Sequence, residues 1–310
     1  MVFEHKSVLL KETVDLVLTK RSGRYVDCTL GAGGHSAELL RRLDPNAELI
    51  CLDQDETAIN NARSKFAADR RVKIFQQNFE NLDRVLRENN LLPVDGVLFD
   101  LGVSSPQLDE AARGFSYMQD APLDMRMDRS AELNAEIIVN TWEPEKLIRI
   151  IRDYGEEKWA TRIVKFIVEA RKKAPIKTTG QLVQIIKNAI PAGARREGPH
   201  PAKRTFQALR IAVNRELEVL EKALDQALVC LGSGGRLAVI TFHSLEDRIV
   251  KNKFQSWLGR CHCPPSLPVC KCGAKPLIKL ITRKAVEPSE QEITENPRAR
   301  SAKLRVAEKL

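Results

Sequence analysis

The stretch that decides the fold is Arg24-Tyr-Val-Asp-Cys-Thr-Leu-Gly-Ala-Gly-Gly-His35. Residues 24–28 have the apolar pattern of a short buried strand, and a glycine cluster follows at Gly31, Gly33 and Gly34 before a helical pattern begins. Glycine is needed where a ligand must approach the main chain closely, and a helix that starts there offers unpaired backbone amides. The stretch therefore predicts a strand, a ligand-binding loop and a helix in succession.

The same alternation continues as far as Asp100. Strand patterns lie at 48–53, 72–76 and 94–100, and helical patterns separate them. Strands that alternate with helices indicate parallel crossover units. We therefore predict an α/β fold with a doubly wound, Rossmann-like sheet. Asp53 ends the second strand, where a carboxylate can accept hydrogen bonds from both hydroxyls of a ribose.

Beyond Asp100 the pattern becomes helical and then returns to strands. Helices are predicted at 131–139, 144–153, 156–173, 179–189 and 205–224, with a Pro, Gly and Arg-rich loop at 191–201. Strand patterns reappear at 235–242, 276–282 and 302–308, and a helix starts at Ser244 with Asp247 as its capping-box partner. These limits predict a core of residues 1–106 and 211–310, and a helical insertion of residues 107–210.

The composition is that of a globular protein with an uneven charge. The chain is 43% hydrophobic and 29% charged, and its net charge is +9. Residues 141–204 hold 15 Lys and Arg against 7 Asp and Glu, which suits a phosphate backbone as partner; the equal alternative from charge alone is a solvated helix surface. The candidate phosphate contacts are Arg171-Lys-Lys173, Arg195-Arg196 and Lys203-Arg204. The chain has neither a membrane-spanning run nor a secretory leader, so we expect a cytoplasmic protein.

The glycine loop has two interpretations. A dinucleotide site usually has the spacing Gly-x-Gly-x-x-Gly, whereas this loop reads Gly-x-Gly-Gly-His. The loop resembles the first motif of S-adenosylmethionine-dependent methyltransferases, in which an acidic residue precedes the glycines at the position of Asp27. The alternative for Asp27 is a carboxylate that caps the turn, and for Asp53 an ordinary acid at a strand end.

The segment Asp100-Leu-Gly-Val-Ser-Ser-Pro-Gln107 follows the fourth strand, and ligands gather at the carboxyl ends of parallel strands. If the methyl acceptor is an amine on an aromatic ring, it is a poor nucleophile because its lone pair is delocalised. A hydrogen-bond acceptor must hold it so that the lone pair faces the methyl donor. Asp100 suits that task, and the equal alternative is that Asp100 only binds the cofactor.

Six motifs carry a resemblance to a known family. They are Asp100–Asp109, Arg113-Gly-Phe-Ser-Tyr117, Pro122–Asp128, Thr205–Asn214, Thr241–Arg248 and Asn296–Arg305. Together they resemble the RsmH (MraW) family of 16S ribosomal RNA cytosine-N4 methyltransferases, from His5 to about Arg305. The resemblance implies a methyltransferase core with a helical substrate-recognition insertion, S-adenosylmethionine as cofactor, and a P-site cytidine of 16S rRNA within the small ribosomal subunit as target. It leaves open a homodimer, and the alternative substrate is another RNA or a small molecule.

The resemblance also implies a set of site residues. The family's cofactor contacts fall on Gly33, Gly34, His35, Asp53, Phe79, Asp100 and Gln107, and Asp100 is also the candidate catalytic residue. The aromatic residue that packs on a flipped base in other amino-methyltransferases is missing from Asp100-Leu-Gly-Val103. Phe115 and Tyr117 are the candidate replacements, with a core contact as the alternative for each.

Three further features remain open at this point. Cys261-His-Cys263 and Cys270-Lys-Cys272 could hold a structural zinc ion or form a reduced surface loop. His243, at a predicted strand end, is better explained by a structural or substrate-positioning role than by catalysis. A non-catalytic RNA-binding protein would need neither Asp53 nor Asp100, and a methyltransferase for small molecules would not need the basic insertion.

Overall fold

The computed structural model describes residues 7–195, 198–259 and 274–310. The chain divides into two units, Met1–Gly102 with Leu217–Leu310, and Val103–Glu216. The second unit is thus a single continuous segment that interrupts the first. Its role in substrate recognition stays a prediction.

The first unit is built on a sheet. Its strands are β1 (Arg24–Asp27), β2 (Glu48–Asp53), β3 (Val72–Gln76), β4 (Val94–Asp100), β5 (Leu231–Thr241), β6 (Ile278–Leu280) and β7 (Lys303–Lys309). They lie in the order β3-β2-β1-β4-β5-β7-β6, parallel from β3 to β5, and β7 is antiparallel to β5 and β6. The predicted Rossmann-like α/β class is confirmed. The chain order reverses between β1 and β4, and ligands of such sheets bind at the carboxyl ends beside that reversal.

The central strands are apolar on both faces, as parallel strands covered by helices must be. Along β2, Leu49 and Cys51 belong to one buried cluster, whereas Ile50 and Leu52 belong to the cluster on the other face. All four side chains have no exposed surface. Burial on both faces explains why β2 is a continuous apolar run in the sequence, which is the signal that predicted the strand.

Helices cover the two faces of this sheet. They are α1 (Leu10–Val17), α2 (Gly34–Arg42), α3 (Glu56–Lys65), α4 (Leu82–Glu88), α11 (Glu216–Cys230), α12 (Ser244–Trp257) and the short α13 (Glu290–Glu295). The sequence did not predict α1, whose buried residues include Val14 and Val17. It is eight residues long and follows Leu9, whose backbone is left-handed, so it lacks the polar cap that marks a helix start.

The second unit is helical in its described part. Its helices are α5 (Ser105–Asp109), α6 (Ala135–Thr141), α7 (Pro144–Asp153), α8 (Ala160–Arg171), α9 (Thr179–Ala189) and α10 (Lys203–Asn214). The single helix predicted at 205–224 is wrong, because Arg215 adopts a left-handed backbone (φ 52°) that ends α10 before α11 begins. None of the helices in the described part of either unit is long and apolar enough to cross a membrane.

Candidate active site

The loop between β1 and α2 is shaped by its glycines. Gly33 adopts a left-handed backbone (φ 69°) as the N-cap of α2. A Cβ atom on Gly34 would lie 1.9 Å from the Ser7 hydroxyl, so any side chain there would require Ser7 to move. The loop therefore presents main-chain amides at the start of a nine-residue helix, where an anionic group is favoured. Both predicted cofactor glycines occupy this cradle.

Asp53 lies beside the same loop. Its Oδ2 accepts a hydrogen bond from the Gly31 amide (2.8 Å) and its Oδ1 accepts one from the Asp55 amide (2.9 Å). Burial raises the pKa of the Asp53 carboxyl to about 6, although these two amides favour the charged form. The carboxylate is thus fixed in orientation, and its remaining lone pairs suit two ribose hydroxyls.

Asp27, the last residue of β1, stabilises the loop between β1 and α2. Its side chain is buried, and it accepts hydrogen bonds from the Ser36 hydroxyl (2.7 Å) and the Thr29 amide (3.1 Å). Burial raises its pKa. These contacts tie the end of β1 to α2, as expected for the turn-capping alternative.

Phe79 follows β3 in a short 3₁₀ helix, Phe79–Asn81, whose start is capped by the Asn78 side chain. Its ring packs edge-to-face against Phe99 of β4, with 5.4 Å between ring centroids. Phe79 is half-buried. The Phe99 contact fixes the ring's orientation, and its accessible surface suits the predicted contact with an adenine.

Asp100 ends β4, the strand next to β1. Its amide donates to the Thr29 hydroxyl (2.6 Å), and its Oδ2 lies 3.5 Å from Nδ1 of His35. Its Oδ1 is buried and has no hydrogen-bond partner among the described residues. Burial, together with the negative charges of Asp27 and Glu246, raises the pKa of the Asp100 carboxyl well above its ordinary value. A buried acceptor without a donor is costly, so this oxygen is suited to a ligand that brings an N–H or O–H group.

Gln107 is the predicted cofactor residue that belongs to the second unit. It is buried on α5. Its side-chain Oε1 accepts from the Ser104 backbone amide (3.0 Å), and its backbone amide donates to the Ser104 hydroxyl (3.4 Å). These reciprocal bonds form a capping box. The structure therefore gives Gln107 a role at a helix start, and the predicted cofactor contact stays a prediction.

His243 forms the cap of α12. Its Nδ1 accepts from the Glu246 amide (3.4 Å), while Glu246 accepts from the His243 amide (3.3 Å). The predicted capping box of Ser244 and Asp247 is wrong: the observed box is formed by the preceding residues, His243 and Glu246. Asp247 instead pairs with Arg305 at 2.7 Å. A histidine cap is rare, so the sequence favoured the serine beside it. These bonds give His243 a structural role.

The two aromatic candidates for base stacking differ in position. Phe115 is buried in the hydrophobic core of the second unit, which supports the core alternative. Tyr117 is half-buried and stacks on His200, with 4.7 Å between ring centroids and 11° between planes. One face of the Tyr117 ring is therefore already covered.

The basic residues of the second unit also separate into two groups. The Arg171 guanidinium donates to the carbonyls of Val139 and Trp142 (2.9 and 2.8 Å), which is a structural role. A cleft of about 320 Å³, by contrast, has an exposed basic rim. Its lining includes Lys158, Trp159, Arg195, His200 and Arg204. Arg196 and the Cys261–Cys272 segment, for which zinc binding and a reduced loop are the two alternatives, lie outside the described residues.

The fold and this site define a class of protein. A Rossmann-like sheet with a glycine cradle and acidic residues at the carboxyl ends of β2 and β4 is typical of enzymes that bind a nucleoside cofactor. The chain belongs to the MraW methylase family, which matches residues 2–310.

Curated relatives agree with this assignment. The chain is 58% identical to Ribosomal RNA small subunit methyltransferase H of Symbiobacterium thermophilum, covering 100% of this chain and 98% of the relative. It is 55% identical to the protein of the same name from Clostridium botulinum strain Kyoto, with 100% of both chains covered. The protein is a methyltransferase, and S-adenosylmethionine is its cofactor. The cradle at Gly34 and the unpartnered Asp100 oxygen fit that cofactor and its acceptor substrate.

Proposed function

We propose that the protein transfers the methyl group of S-adenosylmethionine to the exocyclic N4 amine of a cytidine in the P-site region of 16S ribosomal RNA. The observation that carries the proposal is the buried, unpartnered Oδ1 of Asp100 at the carboxyl end of β4. The names of the relatives support ribosomal RNA of the small subunit as the substrate.

The cofactor supplies an electrophilic methyl group on a sulfonium. Asp100 would accept an N–H bond from the cytosine amine and turn its lone pair out of conjugation with the ring. As the new bond forms, positive charge develops on the amine nitrogen, and a carboxylate at hydrogen-bond distance stabilises it. The proton that the product amine sheds can pass to Asp100 or to solvent.

The charge of the second unit supports RNA as the acceptor. Lys158, Arg195 and Arg204 are exposed on the rim of one cleft, and Trp159 offers a half-buried ring beside them. Cations with an aromatic neighbour suit unpaired RNA, whose phosphates and bases both need partners. A small-molecule substrate would not require these exposed basic residues.

The proposal also implies a binding partner and a cellular location for the protein. The substrate is 16S rRNA, within the small ribosomal subunit, so the protein would act in the cytoplasm. A homodimer is the assembly left open by the sequence, and light scattering of the cofactor-loaded protein measures it directly.

The test is a methyl-transfer assay with labelled S-adenosylmethionine and 30S subunits from a strain that lacks the modification. We expect label in 16S rRNA, and digestion should yield N4-methylcytidine from a single P-site nucleotide. Glu88→Gln, an exposed acid on α4, is the matched control for acidic substitutions and should retain full activity. Label on 23S rRNA, on protein, or on another atom of cytidine would refute the proposal.

A further inference from the structure

The inference concerns the ring of His35, which is nearly fully buried at the start of α2 (side chain 5% exposed). Its Nε2 lies 3.1 Å from the carbonyl oxygen of Val8. A carbonyl oxygen can only accept, so Nε2 must carry a hydrogen. This contact fixes the orientation of the ring, and the other ring nitrogen, Nδ1, lies on the side of Asp100.

Nδ1 lies 3.5 Å from Oδ2 of Asp100. If neither group held a proton there, a nitrogen lone pair would face a carboxylate oxygen, which is repulsive. One proton between them removes the repulsion, either as imidazolium and carboxylate or as neutral imidazole and carboxylic acid.

The surroundings of the pair are acidic. Asp27 on β1 and Glu246 on α12 act on Asp100 through their negative charges. The Lys65 ammonium, on α3, lies at the glycine loop, where it donates to the carbonyls of Ala32 and Gly33 (3.0 and 3.1 Å). Burial and the negative charges of Asp27 and Glu246 favour the protonated form of the Asp100 carboxyl. A protonated Asp100 would be a poor acceptor for an amine.

We propose that His35 is a positioning residue that carries a proton on Nδ1 and thereby holds Asp100 as a carboxylate for the substrate amine. The catalytic consequence of this pairing rests on the proposed function. The sequence predicted only a cofactor contact for His35, whereas the pairing gives its side chain a second role. Val8 orients the ring, His35 supplies the positive charge, and Oδ1 of Asp100 stays available to the substrate.

The first test measures the protonation of His35 and does not depend on methyl transfer. The chain has five histidines, so the ¹³Cε1 resonances of labelled histidine can be assigned with His→Gln variants. In the cofactor-free protein, the pKa of His35 should lie at least about one unit higher in the wild type than in Asp100→Asn. Equal values in the two proteins, or a His35 that stays neutral down to about pH 5, would overturn the pairing.

The second test uses the reaction. His35→Gln keeps a donor toward Val8 but places no cation beside Asp100. At saturating S-adenosylmethionine, the acid limb of its single-turnover rate should move to higher pH by about one unit or more, and the rate at pH 7 should fall at least tenfold. An unmoved acid limb would overturn the inference. If Asp100→Asn keeps its full rate while the first test succeeds, then the proposed role of Asp100 fails and the pairing stands.

Discussion

The binding of S-adenosylmethionine should weaken as the pH falls through about 6, because Asp53 must be ionised to accept the ribose hydroxyls. Burial raises the pKa of this carboxyl to about 6 in the cofactor-free protein. Cofactor binds the charged form, so protons compete with it below that pH, and the competition disappears above it. The dependence is therefore a loss of affinity on acidification.

The magnitude follows from the ionised fraction. At pH 5 only about one-tenth of a group with a pKa near 6 is ionised, so the dissociation constant should be about tenfold higher than at pH 7, or about 1.4 kcal/mol. Asp53→Asn removes the charge and one of the two acceptors that bind Gly31 and Asp55. At pH 7 it should cost about 2–4 kcal/mol of cofactor binding, and its pH dependence should be flat.

Isothermal titration calorimetry between pH 5 and 7 measures both effects, and this window stays below the titration of the cofactor's own amino group. Glu88→Gln, the exposed control, should follow the wild type. If wild-type affinity is equal at pH 5 and 7, the carboxylate is not a ribose acceptor. If the slope persists in Asp53→Asn, another group titrates, and the assignment to Asp53 is wrong.

Two other predictions concern the cradle and the basic cleft. Gly34→Ala should lower the affinity for S-adenosylmethionine by about tenfold or more, since its Cβ would overlap the Ser7 hydroxyl. Adding Ser7→Gly should restore most of the affinity. A double variant as weak as the single one would disprove a steric cause. Replacing Lys158 and Arg195 by Ala should reduce the slope of log affinity for 30S subunits against log salt by about one to two units. Lys222→Ala, an exposed lysine of the first unit, should leave that slope unchanged, and a double variant with the wild-type slope would show that the cleft does not contact phosphate.

Much of the fold could be predicted because the signal is local. The strands β1 to β4 are short apolar runs separated by helical periodicity, and Asp53 and Asp100 fall at strand ends that parallel pairing brings to one edge. The break at Arg215 escaped prediction because an arginine in a left-handed conformation has no sequence signature. Tertiary contacts decide it, since Asn214 bonds the main chain of Met125 and Met127.

The site was less predictable where it depends on contacts between distant residues. His35 and Asp100 are 65 positions apart, and they meet because β1 and β4 are neighbours at the point where the strand order reverses. The same holds for Ser7 against Gly34, which are 27 positions apart in the sequence. Sequence pattern identified the chemistry-bearing residues, whereas their pairing required the topology.

In the proposed reaction, Asp100 orients the cytidine amine during methyl transfer. The most direct test of this role is the single-turnover rate of Asp100→Asn on 30S subunits at saturating S-adenosylmethionine, with cofactor affinity measured in parallel. The account predicts a rate about 100-fold lower or more, with a dissociation constant for the cofactor within about threefold of the wild type. A variant that binds the cofactor weakly but recovers the full rate at saturation would contradict the claim and reduce Asp100 to a binding residue.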